Sequence, residues 1–229
     1  MVFVCEVEAK ALPVSFENVG IDLGLLHFAT LSDGSTIENP RFFRKAEKKL
    51  EKLQHTLARK KRGSHRRKKA VKVVAKAHRK VRNQRADFLH KQSRELVNHY
   101  GVMVFEELHP ANMSKRARPK QDESGKYLPN GAAAKSGVNK SIQDAGWTLF
   151  VSMCTYKAEN AGRTVLHVNP RYTSQVCSEC GTVKKKELSE RWHSCECGCE
   201  LDRDHNAALN ILRLGRSQRG TPCVEAPAL

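Results

Sequence analysis

From Phe42 to His99 the chain contains no proline and a single glycine, Gly63. No other feature restricts the fold as much. A long stretch without breakers satisfies its own backbone hydrogen bonds as helix, and the lone glycine marks where it turns. Leu50, Leu53 and Leu57 recur at helical spacing, followed by Val74, Ala77 and Val81, then Phe88, Leu89, Leu96 and Val97. The pattern predicts two helices meeting near Gly63-Ser64 as a long antiparallel hairpin with narrow apolar stripes and basic outer faces. About half of the chain's 41 Lys and Arg lie between Arg44 and Arg94, against only Glu47, Glu51 and Asp87, and the whole chain carries a formal charge of +17. Charge concentrated in this way repels itself unless a polyanion neutralises it, and phosphates are the usual partner. Arg59, Lys60, Lys61, Arg62, Arg66, Arg67, Lys68 and Lys69 cluster about the expected turn and are candidate nucleic-acid contacts. The competing reading is a merely solvated helix pair.

The remainder of the chain is mixed. "ENVGIDLGLLHFATLSDGSTIENP", residues 17–40, reads as three strands with a hairpin turn at Asp33-Gly34. "GVMVFEEL" (101–108) and "RTVLHVNP" (163–170) are further strands. Residues 114–140 have loop composition and suggest a segment that gates a cleft. Residues 141–162 read as one amphipathic helix ending at Gly162, and Asp202–Leu214 as another. The tail, 216–229, reads as disordered. No apolar run approaches the length that crosses a membrane, and the first residues lack a basic secretory n-region; they read as the middle of a strand. The expectation is a cytoplasmic, nucleoid-associated protein with no membrane partner. Oligomeric state is not legible. Three strands, helices, strand, helix, strand, then helix suit an α/β fold: a mixed sheet with helices on its faces, as in the RNase H-like architecture.

Five cysteines fall within residues 177–199. In a reducing compartment such density indicates metal rather than disulfides. Cys177-x-x-Cys180-Gly is a knuckle in which two thiolates converge on one ion. Cys195-x-Cys197-Gly follows. Four thiolates make a closed tetrahedral zinc site, which is structural because it has no open position. Cys195 and Cys197 are preferred, since Gly198 then follows the last ligand as Gly181 follows Cys180. Cys199 and His193 are the alternatives.

A closed site does no chemistry, so the neighbouring acids become the candidates. Asp22 lies within the apolar strand "VGIDLG", Glu106 and Glu107 end "VMVFEE", and Asp202 and Asp204 open the last helix. A carboxylate on a buried strand is costly unless a cation compensates it. Three such acids can bind Mg²⁺ or Mn²⁺ through oxygen and support phosphodiester cleavage. Strand alternation puts Glu106 on one face with Val104 and Val102, and Glu107 on the other. Either aspartate at the helix start could serve as its cap.

"GIDLG", "VFEEL", "NPRYTSQVCSECG" and "DRDHNAALNIL" together resemble the C-terminal half of TnpB proteins, insertion-sequence nucleases related to type V CRISPR effectors. The resemblance runs from about Val19 to Leu214. It implies a RuvC-type nuclease domain of RNase H fold (17–171 and 200–215, with a basic helical insertion at about 42–99), interrupted by a zinc-ribbon module at 172–199. It implies a catalytic, magnesium-binding triad of Asp22, Glu106 and Asp204, DNA as substrate and a guide RNA as partner. Residues 1–16 resemble the last strand of a preceding domain that, in the family, grips guide and target. The expected function is a metal-dependent DNA endonuclease domain. A non-catalytic nucleic-acid-binding remnant is the alternative, and a zinc-ribbon transcription factor is disfavoured by the acids.

Overall fold

The structure is a computed structural model and describes residues 8–187 and 190–218. Residues 1–7, the first part of the expected strand remnant, and 219–229, most of the expected tail, lie outside the described residues. Its first strands are β1 (Asn18–Leu23), β2 (His27–Leu31) and β3 (Thr36–Glu38). Next come α1 (Phe42–Ala58), α2 (His65–His99), β4 (Val102–Glu106) and the short α3 (Pro110–Met113). A two-residue hairpin pair follows, β5 (Lys120–Gln121) and β6 (Tyr127–Leu128), then α4 (Ala132–Ala145), α5 (Trp147–Ala161) and β7 (Thr164–Val168). The chain ends in β8 (Trp192–Ser194), β9 (Glu200–Asp202) and α6 (Arg203–Gln218).

The chain separates into two units, with boundaries that fall within α2 and α5. The first holds residues 1–39, 92–108 and 149–229 and is built on a five-stranded sheet of order β3-β2-β1-β4-β7. β1, β2 and β3 pair antiparallel, whereas β1–β4 and β4–β7 pair parallel, so the sheet is mixed. Both faces of its centre are covered, which is why β4 reads as a continuous apolar run. On one side Phe150 of α5 meets Phe28 edge-on at 4.9 Å between centroids and Phe105 at 6.2 Å. On the other, Val102, Val104 and Val168 pack with Ile211 of α6. α6 approaches β1 at backbone distance, because a Cβ on Gly20 would lie 2.1 Å from the Ala208 carbonyl oxygen. Only glycine allows that seat.

The described part of the N-terminal segment, 8–16, has no strand. It is tethered by the Leu12 N–H to the Ala161 carbonyl (3.0 Å) and by Ser15 Oγ to the His99 carbonyl (2.8 Å).

The second unit holds residues 40–91 and 109–148. α1 and the first part of α2 form the two helices expected from the glycine-poor stretch. Ser64 Oγ accepts the Arg67 N–H (3.1 Å) and so caps α2. α1 is capped from a distance: buried Asp144 on α4 accepts the Phe43 N–H at 2.9 Å and Arg85 Nη2 at 2.7 Å. Two expectations are corrected here. Residues 132–140 are not loop but the first turns of α4, exposed over most of their length and therefore without an apolar period. The single helix expected over 141–162 is two, because Gly146 adopts the left-handed conformation (φ 71°) and ends α4. Among the described residues no helix is long and apolar enough to cross a membrane.

Candidate metal centres and nucleic-acid interface

The parallel register of β1 and β4 places Ile21 opposite Phe105. One step further stand Asp22 and Glu106, on adjacent strands whose backbones run about 4.8 Å apart. Both share the sheet face that Gly20 and Val104 present to α6, and Asp204 sits in the first turn of that helix. The three acids expected from the sequence thus gather at one end of one face. Burial pushes the Asp22 carboxyl well above its ordinary value, and the negative charges of Glu106 and Asp204 push it further; Arg203 opposes them. Burial also raises Glu106, against a hydrogen bond from the Thr173 hydroxyl. These groups form a partly buried excess of negative charge without enough protein cations to balance it. That chemistry fits a hard divalent ion held through oxygen. Among the described residues, though, the sets of three or more ligands lying within 4.8 Å of one another are all in the cysteine module. As their side chains stand, the three acids do not form such a set. Acids that bridge two ions some 4 Å apart need not form one.

The two aspartates at the α6 start have different jobs. Asp202 Oδ1 accepts the N–H groups of Asp204 (2.8 Å) and His205 (3.3 Å), so Asp202 is the cap. Asp204, released from that duty, turns its carboxyl to Arg203 Nε at 3.4 Å and Arg191 Nη1 at 4.0 Å. Glu107 donates its backbone N–H to the Val168 carbonyl (2.9 Å), one step beyond the end of β4.

In the cysteine module Cys177, Cys180, Cys195 and Cys197 bring their sulfurs within 4.8 Å of one another. Cys177 and Cys197 are 3.7 Å apart, Cys180 and Cys195 3.5 Å. A tetrahedron with metal–sulfur bonds of about 2.3 Å has edges of about 3.8 Å, so this set fits a tetrahedral ion. Each turn closes on a glycine N–H: Gly181 reaches the Cys177 carbonyl four residues back and Gly198 the Cys195 carbonyl three residues back, each at 3.0 Å. Hydrogen bonding around Thr182, side chain first and then backbone, lowers the Cys180 thiol to about 6, favouring the ligating thiolate. Cys199 and His193 form a second, buried set with Cys177.

The module is bolted to α6. Buried Asn206 donates to the Val176 carbonyl (2.8 Å) and accepts the Ser178 N–H (3.0 Å). Buried Asn210 donates to the carbonyls of Thr173 (2.9 Å) and Val176 (2.7 Å). Sequence reasoning missed these residues and Thr173. The run "DRDHNAALN", with asparagines four apart on one helix face, was the available signal.

In the other unit, Arg59, Lys61, Arg62, Arg66, Lys68 and Lys69 are exposed around the α1–α2 turn, while Lys60 and Arg67 are partly buried. Arg67 Nη1 donates to the carbonyls of Leu57 (3.1 Å) and Lys60 (3.2 Å), so it closes the C-terminal end of α1 rather than facing outward. A groove of ≈ 920 Å³ lies along α2, lined by Lys72, Lys76, Arg79, Arg82 and Arg85 with Phe43 at one wall. Its cations were not singled out from sequence.

Two family models match successive stretches of the chain. The model of the OrfB_IS605 family, described as "Probable transposase", matches residues 2–117, and that of the "Cas12f1-like, TNB domain" matches 147–211. This chain belongs to the TnpB (OrfB) family. Among curated TnpB relatives, a "Putative RNA-guided DNA endonuclease" of Streptomyces pristinaespiralis is 38% identical across 92% of this chain and 48% of its own length. The "Putative RNA-guided DNA endonuclease InsQ" of Escherichia coli K12 is 37% identical across 91% of this chain and 54% of its own. This TnpB chain therefore spans about half the length of those relatives. The fold is shared with Cas12f1 in a cryo-EM structure of its complex with sgRNA and target DNA: TM-score 0.52, 19% identity, covering 88% of this chain and 50% of that one.

Proposed function

We propose that this chain carries a RuvC-type, RNase H-like DNA endonuclease domain of a TnpB protein, with Asp22, Glu106 and Asp204 as the ligands of catalytic Mg²⁺ or Mn²⁺ and a guide RNA as partner. The observation that carries the reading is the meeting of Asp22 and Glu106 at the ends of adjacent parallel strands, on the face that α6 covers with Asp204 in its first turn. Asp22, pressed by burial and by the two other carboxylates, is the group an added cation relieves most. The strand order and the mixed pairing suit the RNase H-like assignment, as does the fold shared with Cas12f1.

Divalent ions bound here would activate the attacking water and neutralise the leaving oxygen. The chain's own residues prepare that chemistry. The three carboxylates supply oxygen ligands, and Asp202 fixes the helix start that carries Asp204. Arg203 and Arg191 limit the repulsion while the ligands are ionised. Cys177, Cys180, Cys195 and Cys197 would hold a structural zinc, whose task is to keep the module folded.

Nucleic acid would be held by the basic helices. The first turn of α2, His65 to Lys69, is basic and contains no acid, at the helix end where the peptide dipoles are already positive. Phosphates bound there remove an unfavourable arrangement, and the groove cations extend the same surface. We assign 17–171 with 200–215 to the nuclease, 42–99 to its basic insertion and 172–199 to the zinc-ribbon module.

The test is cleavage of single-stranded DNA by the chain, with and without candidate guide RNA. Activity should require Mg²⁺ or Mn²⁺ and vanish in Asp22→Ala while nucleic-acid binding persists. Binding without any metal-dependent cleavage would support the non-catalytic alternative.

A further inference from the structure

Thr173 lies at the start of the cysteine module's segment and its hydroxyl reaches the acidic cluster. Its hydroxyl donates to Glu106 Oε1 and lies 3.1 Å from the Pro170 carbonyl oxygen. A hydroxyl has one proton to give, and an ionised carboxylate is the stronger acceptor. The side chain is buried, so no water competes for that proton. Its backbone carbonyl is held by Asn210 Nδ2 at 2.9 Å. Asn210 also holds the Val176 carbonyl next to Cys177, and Asn206 grips the same carbonyl and the Ser178 N–H beyond it.

The residue before it is strained. Tyr172 has φ 67°, in the left-handed region that a bulky residue avoids. The strain is not needed to bury Tyr172, which is exposed with Arg171 4.8 Å over its ring. What the conformation does is close a tight turn: the N–H groups of Gln175 and Val176 both reach the Tyr172 carbonyl at 2.9 Å. That turn aims Thr173 at the end of β4. Strain of this kind persists where surrounding structure imposes it, and here the asparagines of α6 impose it.

We propose that Thr173 is a positioning residue for the acidic cluster: its hydroxyl sets the rotamer of the Glu106 carboxylate, leaving the other oxygen to face Asp22 and the ion. A glutamate has three rotatable side-chain bonds, and fixing it before the ion arrives removes an entropic cost from binding. The inference rests on the proposed role of the triad.

The experiment is a Mn²⁺ titration followed by electron paramagnetic resonance, on the full chain, without substrate. Zinc content is measured on each variant by elemental analysis. Thr173→Val should weaken Mn²⁺ binding about tenfold, as loss of a hydrogen bond to a charged group does. Thr173→Ser should restore it, because serine keeps the hydroxyl, and zinc content should match the parent in both. Asp22→Ala, in the same titration, separates the two claims. If Asp22→Ala leaves Mn²⁺ binding intact, the triad itself is misassigned. If Asp22→Ala abolishes binding but Thr173→Val does not weaken it, or Thr173→Ser fails to restore it, the positioning role is overturned.

Discussion

The two candidate metal centres of this chain are prepared to opposite degrees. The four sulfurs of the cysteine module already stand 3.5 and 3.7 Å apart in pairs, near the edge length of a filled tetrahedron. The three acids gather at one end of one sheet face but, as their side chains stand, do not form a single-ion set. The difference follows from charge. Thiols are small and weakly polar and, Cys180 with its lowered pKa apart, can crowd without an ion. Carboxylates are charged once ionised, and enclosing one raises its pKa, first by burial and then by its neighbouring carboxylates, as with Asp22. A soft structural site can therefore be assembled by folding alone, while a hard site must keep its ligands apart until cations arrive.

The largest expected effect is on the prepared site. Cys177→Ser should release zinc and destabilise the protein by about 4 kcal/mol or more, since metal loss is among the few mechanisms that reach that size. Thermal unfolding with parallel zinc analysis checks this. A variant that loses zinc and keeps its melting temperature breaks the contrast.

Asp22→Asn should act in the opposite sense. It should abolish Mn²⁺ binding yet stabilise the divalent-free protein, by removing a charge that folding encloses. The pH dependence fixes the sign. The folded-state pKa of Asp22 is raised above its unfolded value near 4. The folded state then binds the proton more tightly, so stability is greatest at low pH and falls as pH rises from about 4 through the raised value. Denaturant unfolding without added Mg²⁺ should show that decline in the parent, and a flatter profile in Asp22→Asn.

The α6 start should divide cleanly. Asp202→Ala removes a cap and should cost about 1 kcal/mol with little change in Mn²⁺ affinity. Asp204→Ala should do the reverse. Equal effects on both properties would erase the distinction between cap and ligand.

The smallest effect touches neither centre. Replacing Arg66, Lys68 and Lys69 together with Gln should lower the slope of log K against log salt by up to roughly 0.9 per lost duplex phosphate contact. Arg67→Gln should instead show up in stability, through the carbonyls at the end of α1. Fluorescence anisotropy over a salt series distinguishes them.

What the sequence disclosed follows the range of the interactions involved. The helical pair announced itself through 58 residues of local pattern, Phe42 to His99. Strand alternation put Glu106 and Glu107 on opposite faces, and the glycine after the last ligand, rather than spacing, favoured Cys195 and Cys197 over Cys199. α4 stayed hidden because its first turns bury almost nothing, so no period marks them. Asp202 and Asp204 have equal capping propensity; the resemblance implied Asp204 as the ligand, and the hydrogen bonds make Asp202 the cap. Asn206, Asn210 and Thr173 escaped because their partners lie 28 to 67 residues away in the chain. Arg67 looked like one more cation of a basic run until its guanidinium was seen on carbonyls of α1.

The seat of α6 on Gly20 also sets a timetable. Asp22 lies near the start of this sequence and Asp204 near its end, so the acidic cluster cannot exist until α6 has left the ribosome and docked against the sheet. Synthesis at about 5–20 residues per second leaves the early strands without their last partner for some ten seconds or more. During that interval the basic helices, to which nucleic-acid binding is assigned by proposal, are already made, whereas the acids are not yet assembled. On the proposed reading, a nascent chain would hold a polyanion before it had any means of acting on it, so the order of translation itself delays the acidic site.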